Sequence, residues 1–139
     1  MSAVLTPRVR NLVICDGIRA SRLEADVYHI RGARTHVFAD SFPVRRRLHL
    51  YVTLSSPRPG RFPGCIKIIN DRTDKAVFYG DIEPAPEFPD NETLMSLELP
   101  MQARFPEPGR YSVQLWFFQE AAPDILKMEQ PLYVYAQEA

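Results

Sequence analysis

An all-β fold is what this sequence predicts, an antiparallel β-sandwich of about eight strands, immunoglobulin-like or jelly-roll-like in topology. Three observations predict it. Short apolar runs alternate with polar residues at period 2, which turns one set of side chains toward a core and the other toward solvent. Proline occurs 13 times and falls between those runs, where it would break helices by removing a donor and clashing with the preceding turn. Stretches with a 3.6-residue period, which βαβ units would need for their helices, are missing.

The runs follow in order. NLVICDGI (11–18) opens the fold, and VYHI (27–30) continues into THVFA (35–39). LHLYVTL (48–54) alternates most cleanly: Leu48, Leu50, Val52 and Leu54 face one way, His49, Tyr51 and Thr53 the other. CIKIIN (65–70) sets Ile66 and Ile68 around Lys67, KAVFYGDI spans 75–82, and LMSLELP (94–100) sets Leu97 and Leu99 around Glu98. The last two runs are YSVQLWFF (111–118) and PLYVYA (131–136). Turn-rich links such as SSPRPGRFPG, NDRTD and FPEPG separate them. Only EAAPDILKMEQ (120–130) could hold a helical turn or two, and Pro123 followed by Asp124 makes even that short.

Residues 1–139 read as a single domain with its core within 11–136, a length sufficient to bury a core without staples. Lys plus Arg and Asp plus Glu both number 17, so no global field concentrates nucleic acid or anionic lipid, and neither is an expected partner. The opening MSAVLTPRVR lacks the apolar core of a secretory signal, and no run reaches the ~18 apolar residues of a membrane span; the expected location is the cytoplasm. In that setting Cys15 and Cys65 are expected reduced and buried.

NLVICDGI, Gly32 after a β run, the Phe-Pro pair at 42–43 and FPEPGRYSVQL (105–115) together carry a resemblance. From about Leu12 to Val134 the chain resembles a family of uncharacterised bacterial β-sandwich proteins that open with a "CD" strand and close with a "PEPGRY" strand. The resemblance implies a fold, in which the glycine supplies an unusual φ and the tyrosine anchors the strand start. It implies no catalytic residues.

No enzyme signal emerges. His29, His36, His49, Cys15, Cys65 and Asp16 form no CxxC, HxxxH or HExxH spacing, so no metal site and no cofactor are predicted, and the histidines read as solvent-facing. The serines stand outside any GxSxG context, the glycines form no phosphate-cradling loop, and Glu98 has no carboxylate companion inside a strand. The loop DIEPAPEFPDNE clusters Asp81, Glu83, Asp90 and Glu92 with Glu87, candidates for a calcium or carbohydrate site at 83–92, although the ordered D-x-D-x-DG spacing is missing. Asp16 lies in an apolar strand and needs hydrogen bonds, most simply from the backbone N–H groups of a turn, or else a cation. Arg45, Arg46 and Arg47 form the dense positive run, with Arg31 and Arg34 placed to approach across a hairpin.

Trp116 and Phe118 oppose the inward set of their strand, and Tyr133 and Tyr135 oppose Leu132 and Val134. If the two strands pair across a 119–130 connection, these four aromatics form one patch, covered either by the chain itself or by a partner. The expected function is therefore a non-enzymatic interaction or structural module, self-associating or binding a protein partner. The alternatives are a calcium- or sugar-binding sandwich and a hydrolase with a dispersed site, the last requiring a hollow that gathers groups such as His29 and Asp16.

Overall fold

The computed structural model describes residues 6–137 and is an antiparallel sandwich without helix. One layer holds three strands, β1 (Arg8–Cys15), β5 (Val44–Ser55) and β10 (Leu94–Phe105), in the order β1-β5-β10. The other holds β4 (His36–Ala39), β12 (Ala122–Ala136), β11 (Gly109–Gln119), β7 (Gly64–Asn70) and β8 (Lys75–Asp81), in the order β4-β12-β11-β7-β8. Two short ribbons are added: β2 (Gly17–Ala20) with β3 (Tyr28–Arg31), and β6 (Gly60–Arg61) with β9 (Glu87–Phe88).

Period-2 alternation builds the core. Leu48, Leu50, Val52 and Leu54 of β5 and Tyr111, Val113, Leu115 and Phe117 of β11 are wholly buried, and Ile66 and Ile68 of β7 join them. Burying each large apolar side chain is worth about 1.5–3 kcal/mol, so the two central strands dominate cohesion. Consecutive strands repeatedly change layers, at β5 to β7, β8 to β10 and β10 to β11. This order, with β4 running parallel to β12 at the edge, is immunoglobulin-like rather than jelly-roll-like. The turn before β11 carries the corresponding anchor. Gly109 adopts φ +146°, and the Tyr111 hydroxyl donates to the Glu107 carbonyl at 2.7 Å while its ring meets Phe105 edge-on at 4.9 Å.

The two layers hold eight strands, as expected, and among the described residues the two ribbons add four short ones. NLVICDGI breaks at Asp16, where the chain turns out of β1 into the β2–β3 ribbon. VYHI and THVFA are likewise separate strands in separate sheets, because Gly32 at φ +64° redirects the chain between them. The segment 120–130, the one with room for a helical turn, forms none. Ala121 takes φ +53° in a tight turn, so residues 122–130 extend β12 along β11 rather than connecting it. Pairing with β11 satisfies more backbone than one isolated helical turn could.

Removing the Tyr111 hydroxyl leaves the Glu107 carbonyl without its donor at a partly buried corner. Tyr111→Phe is expected to cost about 0.5–1.5 kcal/mol, read from the urea midpoint, and an unchanged midpoint would show that the corner adds nothing.

Candidate functional site: an aromatic ladder at the sheet edge

Strands β4 and β12 place four rings on the solvent side of the five-stranded sheet. Their parallel register sets His36 beside Tyr133 and Phe38 beside Tyr135, while Val37, Ala39, Leu132 and Val134 point into the core. The rings touch in sequence. His36 meets Phe38 at 4.9 Å, Phe38 meets Tyr135 at 5.5 Å, and Tyr133 stacks on Tyr135 at 6.3 Å with planes 8° apart. Phe38 remains 47%, Tyr133 38% and Tyr135 46% exposed, so the ladder is an open apolar surface on a strand that also ends the sheet.

The four aromatics expected in one patch are split. Tyr133 pairs with Arg110, whereas Trp116 pairs with Leu126, and six residues of β11 hold the two about 20 Å apart. The extended β12 causes this, because the two strands pair almost from their shared turn. Trp116 is half-buried by its own chain: Lys67 Nζ lies 4.6 Å from the ring centroid, and the indole N–H donates to Gln114 Oε1 at 2.9 Å. Phe118 is also half-buried, lining a cavity with Thr6, Arg61, Phe62 and Pro63. Tyr133 and Tyr135 stay open, and His36 and Phe38 join them. The sequence contained the signal for these two, an exposed His-x-Phe in a strand, but not the parallel pairing that makes it useful.

The acidic loop residues do not gather into one site: Asp81 and Glu83 border a hollow with Glu98, which Asp90 and Glu92 do not line. Asp81 accepts from the Tyr79 hydroxyl on the outside of β8, and Asp90 Oδ1 accepts from Glu92 N, Thr93 N and Thr93 Oγ1, forming a local turn. Between them Phe88 of β9 plugs the core against Phe62, with rings 6.0 Å apart. Glu83 and Glu92 are exposed, and among the described residues no group of three His, Cys, Asp or Glu side chains could hold a metal ion.

Cys15 and Cys65 are unpaired, buried, and in different sheets; burial pushes both thiols up. His29 and His36 are exposed, but His49 is not solvent-facing as expected. Its side chain is 13% exposed, and Nδ1 lies 3.3 Å from Glu98 Oε1 without a hydrogen bond. The partner of Asp16 is also not the expected turn backbone. Arg34 grips both carboxylate oxygens, Nε on Oδ1 and Nη2 on Oδ2 at 2.8 Å, while the Asp16 backbone N–H donates to the Arg31 carbonyl at 2.9 Å. Any side chain on Gly32 would collide with this carboxylate, a Cβ falling 2.3 Å from Oδ2.

Fold and site together define an immunoglobulin-like sandwich with an open aromatic edge. No family model and no curated protein matches the chain. Among the described residues no helix is long and apolar enough to cross a membrane.

Arg34, chiefly through its hydrogen bonds, holds the Asp16 carboxyl below the usual carboxylate range. The unfolded chain takes up that proton more readily, so the stabilisation is complete above about pH 4 and is lost as pH falls through the folded-state value. Asp16→Asn is expected to be less stable near neutrality yet to lose less on acidification, measured as thermal midpoint from roughly pH 2 to 6.

Proposed function

We propose that this domain is a non-enzymatic interaction module that self-associates through the ladder of His36, Phe38, Tyr133 and Tyr135. The observation that carries the reading is the exposure of three contiguous large rings on an edge strand and its neighbour. Rings of this kind complement themselves: an isologous contact needs one patch that fits its own copy, which apolar aromatics provide and a single-sign charge patch does not. The edge strand is only four residues long, so side-chain stacking rather than strand addition supplies the contact. On this reading the chain belongs with the bacterial β-sandwich family whose CD and PEPGRY strands it resembles, and it works in the cytoplasm, where buried thiols stay reduced.

The test is light scattering from roughly 1 to 500 μM. The wild-type mass is expected to rise toward a dimer, while Phe38→Ser with Tyr135→Ser stays at the monomer mass with its β-type circular dichroism intact. A wild-type protein that is monomeric throughout, or a variant that dimerises equally well, would refute the assignment.

A further inference from the structure

A cavity of about 630 Å³ lies on the outer side of the three-stranded sheet, where the β2–β3 ribbon packs against β5. Tyr28 of the ribbon rests on Tyr51 of β5 at 5.5 Å, which fixes the ribbon to this face. The lining is strongly biased in charge. Arg19 and Arg31 come from the ribbon and Arg47 from β5, with His29 and His49 beside them, and the acidic member is Asp16, whose oxygens are already taken by Arg34. Among the described residues Arg19, Arg31 and Arg47 form no ion pair. Arg31 also feels the Asp16 carboxylate, but three guanidiniums against one carboxylate leave the hollow with an excess of positive charge, which an anion offsets.

The site has local supports. Gly17 is directly opposite Arg31 in the ribbon, and a Cβ there would fall 2.9 Å from Arg31 Nη2, so the missing side chain lets the guanidinium lie flat across the strand. Ile18 and Ile30, also opposite each other and on the ribbon face of Tyr28, border the same hollow with apolar surface.

We propose that this cavity binds a small organic dianion, of the phosphomonoester type, with a compact apolar body. Guanidiniums meet phosphate oxygens through paired, charge-assisted hydrogen bonds, and two negative charges offset the excess of the lining. The isoleucine wall takes the body of the molecule. A polynucleotide is the poorer fit. Arg45 and Arg104 extend the positive charge along β5 and β10, but Tyr51, the aromatic that would stack a base, is held by Tyr28 and by its hydroxyl contact to Ser96 at 3.1 Å.

Phenyl phosphate and inorganic phosphate are the probes, titrated at constant ionic strength while the arginine Nε–H and histidine NMR signals are followed. Phenyl phosphate is expected to saturate with a Kd of about 1 mM or tighter and to bind better than phosphate alone. Arg31→Ser and Arg47→Ser should each weaken it about tenfold or more, Arg104→Ser by no more than about twofold. Ile30→Glu, at a partly exposed position, should abolish binding with the amide spectrum otherwise preserved. The proposal fails if chloride reproduces the shifts, or if all three arginine variants weaken binding equally, as diffuse surface charge would. It also fails if a single-stranded oligonucleotide binds with a steep salt dependence that Arg104→Ser reduces.

Discussion

Burial of the inward faces of β5 and β11 is the constraint on which everything else rests. These strands sit inside their sheets, each hydrogen-bonded on both sides, and their leucines, valines and aromatics meet across the layers. Once they are fixed, the remaining pieces have few places to go. β10 and β1 must flank β5, β12 and β7 must flank β11, and β4 is left at an edge. The open edge is therefore a consequence of where the core ends, and the sequence has furnished it with rings instead of charges.

The division between inner and outer faces also decides where polar groups can gather. The inner positions are filled by apolar side chains packed to exclude water, which leaves polar chemistry to the outer faces. The arginine-lined hollow and the aromatic ladder both lie there, on opposite sheets. The hollow does gather His29 and Asp16, but the carboxylate is committed to Arg34, so a proton-transfer or nucleophilic role would first have to break that pair. Electrostatic holding of a ligand needs no such rearrangement.

Much of the sandwich was legible because alternation is a local property. Leu48 to Leu54 and Tyr111 to Phe117 announce their inner faces without reference to any partner strand, and the Glu107–Tyr111 corner joins residues only four apart. What escaped depends on pairing at a distance. That Phe38 meets Tyr135 and that Trp116 is shielded by Lys67 are matters of register between strands far apart in sequence. The break at Asp16 was missed for another reason: an Asp-Gly inside an apolar run reads as a strand irregularity, and only the grip of Arg34 makes it a corner.

The two buried thiols acquire significance from their positions. Cys15 lies on the sheet that carries the ribbon, and Cys65 lies opposite Trp116 on the other sheet; both are fully enclosed and shifted away from the reactive thiolate. Each sulfur therefore stays silent toward an alkylating reagent until its own cover lifts. The molecule thus contains a separate chemical clock in each layer, and their relative rates would distinguish loosening of the ribbon from separation of the sandwich itself.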